Sequence, residues 1–240
     1  MTNALLTPHP PFRYAVYFAP PPDSRWWQAG SQWLGRCAAG STLKPMPAIK
    51  GISDEAFHQV TAAPRRYGWH ATLKAPFTLA PSADADQLRV ALTRIAASSS
   101  AFDLPPLKVA LLDDFLAIVP QNRSAAVDAV AARCVMELQP LAAPLSATEL
   151  QRRRQAPLSP EQDAHLERWG YPFVLDQFQV HCSLTGSLKH LNSQQVQNLQ
   201  RGAHDWFAKL PPCRFETLAL FAEPTQGADF VLQEHFRFSA

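Results

Sequence analysis

The sequence predicts an α+β protein made of two similar halves, with antiparallel sheets, helices packed outside them and a central cleft between two lobes. First, strand-like segments and amphipathic helix-like segments alternate along the chain. Second, two predicted strands carry the same pattern of a histidine, a hydroxyl residue and a leucine, at residues 70–73 and 181–184. Third, 22 of the 240 residues are proline, which indicates short elements with stiff turns and argues against an all-helical bundle.

The first half, residues 13–139, follows a loose N-terminal tail at 1–12. Its opening strand at 14–19 is rich in β-forming side chains and stops at three consecutive prolines. A helix at 24–36 follows, since Ser24 can cap it and its tryptophans form an apolar stripe. The same criteria predict the other elements of this half: a short helix at 53–61, a strand at 69–79, a helix at 84–97, a hairpin of 102–112 with 115–119, and a helix at 122–138.

The second half, residues 177–238, repeats the order strand, helix, strand, strand after a polar inter-repeat segment at 140–176. Phe102 opens a strand 32 residues after His70, and Phe215 opens one 34 residues after His181. Near-equal offsets of matching elements indicate a duplicated unit, so we expect residues 13–240 to form one bilobal domain. The predicted elements are helical stretches at 148–154 and 160–169, a strand at 178–184, a helix at 193–210, and strands at 214–222 and 230–238.

The composition excludes several classes of protein. Apolar residues make up 47% of the chain and charged residues 18%, which excludes a disordered chain. The net charge of +2 is too small for a protein that binds duplex DNA. The longest apolar runs have the length of strands and the N-terminus lacks a basic region, so we expect neither a transmembrane helix nor a secretory signal. The four cysteines form no CxxC pair, which favours reduced thiols in the cytoplasm.

The two histidine–hydroxyl pairs are the strongest candidates for catalysis. Residues i and i+2 of a strand share a face, so His70 lies with Thr72, and His181 lies with Ser183. Two imidazoles suit general acid–base catalysis near neutral pH, and two hydroxyls can donate to the oxygens of an anion. If the lobes meet about a pseudo-twofold axis, this set fits the opening of a phosphodiester without a metal or cofactor. The near-symmetric pattern leaves open which histidine is the acid and which is the base.

The motifs His70-Ala71-Thr72-Leu73 and His181-Cys182-Ser183-Leu184 resemble the signature of the 2H phosphoesterase superfamily. The stretch at 13–20 resembles the first strand of that superfamily. Longer stretches at 67–77, 168–174 and 181–186 resemble its DUF1045 branch, which is associated with phosphonate-utilisation gene clusters. The resemblance covers about residues 13–238. It implies a cyclic phosphodiesterase-type hydrolase with a cleft between two lobes, no metal, and a ribosyl cyclic phosphate as substrate. Ser183 departs from the usual threonine but keeps the hydroxyl.

Three strand residues are further candidates for binding the substrate. Lys74 shares strand parity with His70 and Thr72, so we expect that it could face the cleft. Tyr14 and Tyr17 have opposite parity, so at most one of them faces the cleft.

Two residues of the inter-repeat segment complete the candidate set. Arg153 lies in a run of three arginines, and a guanidinium matches a phosphate group with two hydrogen bonds. This segment could fold over the cleft as a lid, and Tyr171 would then contact the substrate too. Cys182 alternates with His181 on the strand and faces the opposite way, so we do not expect a Cys–His nucleophile.

Two other interpretations stay open at this point. In the first, the chain is a non-catalytic RNA- or nucleotide-binding module whose aromatic residues stack on bases. In the second, the chain is an RNA-end enzyme, a phosphodiesterase or a ligase-like enzyme, that acts on 2′,3′-cyclic phosphates. The near-neutral charge favours a small phosphorylated sugar or nucleotide as the partner. The sequence has no clustered zinc ligands and no glycine-rich phosphate loop, and we expect no membrane partner.

Overall fold

The computed structural model describes residues 10–43 and 45–239, so residues 1–9 of the predicted tail lie outside the described residues. The strands are β1 (Arg13–Phe18), β2 (Ala71–Phe77), β3 (Phe102–Asp103), β4 (Leu107–Leu112), β5 (Phe115–Pro120), β6 (Cys182–Ser183), β7 (Arg214–Phe215), β8 (Thr217–Glu223) and β9 (Val231–Arg237). The α-helices are α1 (Arg25–Leu34), α2 (Asp54–Val60), α3 (Ala62–Tyr67), α4 (Ala85–Ala97), α5 (Ala125–Leu138), α6 (Ala147–Arg153), α7 (Pro160–Trp169) and α8 (Ser193–Phe207). None of the helices within the described ranges has the length and apolar character needed to cross a membrane.

Each of the two larger sheets takes strands from both halves of the sequence. One sheet has the order β2-β1-β8-β9, so the C-terminal hairpin joins the strands of the first half. The other has the order β4-β5-β6, so the hairpin of the first half joins a strand of the second. All pairings in both sheets are antiparallel, which confirms the predicted α+β class with antiparallel sheets.

A two-stranded ribbon joins the halves where the sequence offsets match. β3 pairs antiparallel with β7, and Phe102 lies directly opposite Phe215. These are the two phenylalanines that follow His70 and His181 at similar distances in the sequence. Antiparallel pairing of equivalent residues is the arrangement that a pseudo-twofold axis produces, and it relates the duplicated elements in space as well as in sequence.

The helices pack against the sheets and bury most of the apolar side chains. The larger core cluster takes residues from α1, α4, α5 and α8 together with the strands. A smaller cluster lies on the other face of β1 and β8 and contains Tyr17, Phe221 and Phe230. Successive residues of β1 therefore serve different clusters, since Val16 belongs to the larger one and Tyr17 to the smaller.

Two predicted strands differ from the structure, and one helix was not predicted, each for a local reason. The strand predicted at 102–112 is interrupted at Pro105 and Pro106, which lie between β3 and β4. Helix α3 was not predicted, because it contains Pro64; this proline is the third residue of the helix, where a missing N–H removes no internal hydrogen bond. The strand predicted at 178–184 is reduced to β6, and the carbonyl of Gln179 accepts a hydrogen bond from a side chain instead.

Candidate active site

The edge strands β2 and β6 lie side by side and bring the duplicated motifs together. His70 is the residue immediately before β2, and His181 is the residue immediately before β6. Thr72 and Ser183 follow at the same position of each strand. All four side chains line one cavity of about 370 Å³, which we call the histidine cleft. The structure thus unites the four residues that the sequence predicts to act jointly.

The two imidazoles are held by equivalent hydrogen bonds. Nδ1 of His70 lies 2.9 Å from the carbonyl oxygen of Gly68, and Nδ1 of His181 lies 2.8 Å from that of Gln179. A carbonyl oxygen only accepts, so each Nδ1 carries the hydrogen and donates it. Each neutral ring therefore keeps Nε2 as its free acceptor, and each protonated ring keeps Nε2–H as a donor.

The surroundings of the two histidines differ. The hydrogen bond of His70 is partly buried, whereas that of His181 is exposed. Burial, with a smaller effect of the nearby His181, lowers the pKa of His70 to about 4 against the opposing effect of the bond to Gly68. His70 is consequently a neutral acceptor at pH 7.

Tyr17 is the tyrosine of β1 that faces the cleft. Its ring lies against His70 with 3.9 Å between ring centroids, and its side chain lines the cavity. The hydroxyl is buried and has no hydrogen-bond partner among the residues that the structure describes. Burial raises the pKa of Tyr17 well above its ordinary value, so the hydroxyl stays a donor. Tyr14, of opposite parity, lies in the larger core cluster.

Lys74 does not face the cleft, so the expectation from strand parity is wrong. The register between β1 and β2 shifts between Thr72 and Lys74, and the consecutive residues Leu73 and Lys74 are both buried. This bulge turns Lys74 toward α5, where its Nζ donates to Oε1 of Gln139 at 2.9 Å. Burial lowers the pKa of Lys74 to about 8, and the lysine serves the core rather than the cleft.

The inter-repeat segment forms part of the cleft wall. Tyr171 lines the histidine cleft and also an adjoining groove of about 490 Å³, together with Phe173 and Gln177 from the same segment. Burial raises the pKa of Tyr171, so its hydroxyl also stays protonated. Arg153 does not line the histidine cleft; it lines a separate cavity of about 60 Å³ that we call the arginine cavity.

Several residues of the site were not predicted. Phe115 lines the cleft beside His181, with 5.8 Å between ring centroids, and Tyr67 lines it beside His70 at 5.9 Å. The alternation of β5 would indicate Phe115 only once the pairing of Ala117 with Ser183 is known.

A buried carboxylate lies behind the cleft. Glu223 accepts hydrogen bonds from Nε of Arg13 at 2.5 Å and from Nη2 of Arg66. These partners are 210 and 157 residues away in sequence, and no local pattern predicts them. Cys182 is buried on the opposite face from the cleft, and burial raises the pKa of its thiol. Among the described residues, no group of three or more His, Cys, Asp or Glu side chains is placed to hold a metal ion.

The fold and the site define an α+β protein with two larger antiparallel sheets and a cleft that two histidines line. The family model described as "Protein of unknown function (DUF1045)" matches residues 72–231, and the chain belongs to that family. The DUF1045 resemblance seen in the sequence is thereby confirmed.

Two bacterial relatives are each named ribose 1,5-bisphosphate phosphokinase PhnN. The protein of Janthinobacterium sp. (strain Marseille) is 37% identical over 230 residues, which are 95% of this chain and 51% of that protein. The protein of Laribacter hongkongensis (strain HLHK9) is 39% identical over 220 residues, which are 92% of this chain and 50% of that protein. The chain spans about half the length of the curated relatives it matches.

Two solved structures are similar over most of the chain. E. coli LigT complexed with 3′-AMP has a TM-score of 0.45 and 10% identity, with 96% of this chain and 100% of that chain covered. A protein described as a phosphoesterase has a TM-score of 0.44 and 12% identity, with the same two coverages. These values are too low to assign an activity.

Proposed function

We propose that the chain is a 2H-type phosphoesterase that opens a cyclic phosphodiester by two-histidine acid–base catalysis, without a metal ion. The observation that carries this proposal is the pair of imidazoles in the histidine cleft, each held through Nδ1 by a backbone carbonyl and each with Nε2 left for proton transfer. The hydroxyls of Thr72 and Ser183 line the same cavity.

The protonation of His70 favours one division of roles. His70 is the base, because burial keeps it neutral, with its pKa lowered to about 4. Its Nε2 takes a proton from water as the water oxygen attacks phosphorus and the bond from phosphorus to the opposite sugar oxygen breaks. His181 is the acid and gives the proton on Nε2 to that leaving oxygen. The product is a phosphate monoester, and both histidines return to their starting states by exchanging one proton with solvent.

The hydroxyl donors act on the charge that develops in the transition state. Thr72 and Ser183 donate to the non-bridging phosphoryl oxygens from opposite sides of the cleft. We assign Tyr17 as a third donor, since Tyr17 lines the cavity and its buried hydroxyl has no partner among the described residues. Donors fixed in place before the reaction cost no reorganisation as the charge builds.

The substrate we propose is a small ribosyl cyclic phosphate, in the breakdown of phosphonates. A cavity of about 370 Å³ lies in the range of roughly 300–1,000 Å³ that holds small ligands. The names of the relatives refer to a ribose that carries phosphate groups, which supports a phosphoribosyl ligand. The sequence has no glycine-rich phosphate loop, so we assign the kinase activity in those names to the half of the relatives outside the match.

The test is phosphorus NMR of the purified protein in EDTA with two compounds. One is ribose 5-phosphate 1,2-cyclic phosphate, and the other is a nucleoside 2′,3′-cyclic phosphate. We expect the ribosyl compound alone to be opened. Opening of the nucleotide alone would support RNA-end processing, and tight binding without turnover of either compound would support a non-catalytic binding module. Inhibition by EDTA that zinc reverses would contradict metal-independent chemistry.

A further inference from the structure

We propose that Arg13 and Arg153 form a second anion subsite, which binds a monoester phosphate carried by the same substrate molecule. The subsite rests on the proposed function, because it takes the cyclic ester to be bound at the two histidines. It identifies the substrate class as a sugar with two phosphate groups, one cyclic and one terminal. The nucleotide alternative, which lacks the terminal phosphate, would leave the subsite unused.

The arginine cavity lies directly beside the histidine cleft. Arg13 and Arg153 line the arginine cavity, and Ala75 and Pro76 at the end of β2 line both cavities. Tyr171 lines the cleft, and the preceding residue, Gly170, lines the arginine cavity. The volume of about 60 Å³ is several times the roughly 10–15 Å³ that one water molecule needs, so a small anionic group can enter.

Arg153 has donor capacity that the protein does not use. Its Nη1 donates to the carbonyl oxygen of Gly170 at 2.6 Å, which takes one of the five N–H groups of the guanidinium. Its Nε is buried and has no hydrogen-bond partner in the part of the chain that the structure describes. A buried donor without a partner costs free energy. The N–H groups of Nη1 and Nη2 that the bond to Gly170 leaves free can donate charge-assisted hydrogen bonds to a phosphate oxygen in the cavity.

Two guanidinium groups, of Arg13 and Arg153, and two carboxylates, of Glu149 and Glu167, line the arginine cavity. Glu223 forms ion pairs with Arg13 and with Arg66, which lies outside the lining. Burial lowers the pKa of Arg153, Glu149 opposes this effect, and the positive charges of Arg152 and Arg13 lower the pKa further. Arg13 and Arg153 therefore repel each other across the cavity. A bound anion would relieve this repulsion.

Two carboxylates at the rim of the cavity are already engaged. Glu149 closes the N-terminal cap of α6, where its Oε2 accepts from the backbone N of Ser146 at 3.3 Å. Glu167, which also lines the cavity, accepts from Nη2 of Arg154 at 2.5 Å. Neither group therefore supplies Arg153 with the missing partner for its Nε.

The matched test compares Arg153→Gln with Arg152→Gln. Arg152 is the exposed neighbour of Arg153 in α6 and does not line the cavity, so its variant controls for loss of one positive charge. The kcat/KM is measured for ribose 5-phosphate 1,2-cyclic phosphate and for the same compound without the 5-phosphate. We expect the wild type to prefer the phosphorylated compound, and Arg153→Gln to reduce that preference by about 10- to 100-fold, the effect of a lost hydrogen bond to a charged group. Arg152→Gln should keep the preference within about twofold, since an exposed charge contributes little.

A binding measurement separates the subsite from catalysis. Calorimetric titration with ribose 5-phosphate, which lacks the cyclic ester, should give a Kd at least about tenfold higher for Arg153→Gln than for the wild type. Arg152→Gln should bind like the wild type. A wild type that opens neither cyclic compound but binds ribose 5-phosphate through Arg153 would support the subsite and contradict the proposed function. Equal preference for both compounds in the wild type, or equal Kd values in the wild type and a folded Arg153→Gln variant, would overturn the subsite.

Discussion

The two histidine strands, β2 and β6, carry the same side chains at the same positions but differ in their surroundings. β2 has seven residues and is one edge of a four-stranded sheet, whereas β6 has two residues and is one edge of a three-stranded sheet. His70 lies under the ring of Tyr17, at 3.9 Å, while His181 has Phe115 at 5.8 Å. A duplicated motif thus yields two equivalent positions, and the residues packed around them give each histidine different surroundings.

This difference matters because the proposed reaction needs one proton acceptor and one proton donor. Two identical sites could not divide these roles. The deeper burial of His70 favours the neutral ring, and the exposed hydrogen bond of His181 places that ring nearer to solvent, where protons are exchanged. In the proposed mechanism, this asymmetry between the halves assigns the roles of base and acid to the two histidines.

The largest effect is expected from removing either imidazole. His70→Ala and His181→Ala should each lower kcat/KM by about 10²- to 10⁴-fold, the contribution of a general acid or base. The double variant should be little worse than the poorer single variant, because the two groups act as a unit. Steady-state kinetics on the ribosyl cyclic phosphate measures this effect, with exposed His190→Ala as the control. Full activity of the double variant would contradict the mechanism.

The paired hydroxyls offer a second test of equivalence between the halves. Thr72→Val and Ser183→Ala remove one donor each and should lower kcat by about 10²-fold with little change in KM, as for a donor to developing charge. The two losses should be similar, since both residues occupy the same strand position. A loss confined to one variant would show that only one half holds the phosphoryl oxygens. Circular dichroism of both variants provides the control for folding.

The pH dependence should reveal the different burial of the two histidines. Because the pKa of His70 is lowered to about 4, protonation of the base should reduce kcat/KM only below about pH 4, by tenfold per pH unit. The unfolded chain binds the same proton with an ordinary pKa of about 6.5, so unfolding should become easier as the pH drops from about 6.5 to about 4. A rate profile with its acid midpoint near pH 6.5 would contradict the assignment of His70 as a buried base.

The smallest effect on kcat is expected from a substitution that gives both histidines a phenylalanine as their aromatic neighbour. Tyr17→Phe gives His70 the same kind of neighbour that His181 has in Phe115. Loss of the hydroxyl donor should lower kcat by about 3- to 10-fold, the effect of one ordinary hydrogen bond. Because that hydroxyl has no partner among the described residues, the free energy of unfolding should be unchanged or rise by about 1 kcal/mol. Chemical denaturation and kinetics on the same preparation test both statements, and a loss of stability would show that the hydroxyl has a structural role.

The sequence predicted most of the fold because the deciding patterns are local or repeated. Most elements lie close to the bounds predicted from strand alternation, prolines and helix caps. Phe102 and Phe215 follow their histidines at similar distances in the sequence, which indicated a duplication, and the two residues pair directly in the structure. The sequence did not predict that the C-terminal hairpin joins β1 and β2, or that the hairpin of the first half joins β6. These pairings depend on which strand edges meet in space. Strand parity selected His70, Thr72, His181 and Ser183 correctly as residues of one cleft.

The remaining parts of the site depend on features that no local pattern contains. The prediction from strand alternation was wrong at Lys74 because β2 has one extra residue between Thr72 and Lys74, and this bulge reverses the side to which the following side chain points. Arg13 and Glu223 meet across 210 residues, and the shared cavity of Arg13 and Arg153 depends on how the inter-repeat segment packs. Strand alternation also could not show whether Tyr14 or Tyr17 faces the cleft. It places the two tyrosines on opposite faces of β1 but does not show which face meets the second lobe.

The most direct test of the division of roles is an NMR titration of the imidazole nitrogens in the protein labelled with ¹⁵N. His70 should be neutral at pH 6, with the hydrogen on Nδ1, and should gain a second proton only near pH 4. His70→Ala identifies its signals, and the spectrum of His181→Ala shows whether His70 keeps this state without its partner. A protonated His70 at pH 6, or a neutral ring with the hydrogen on Nε2, would contradict its role as the proton acceptor.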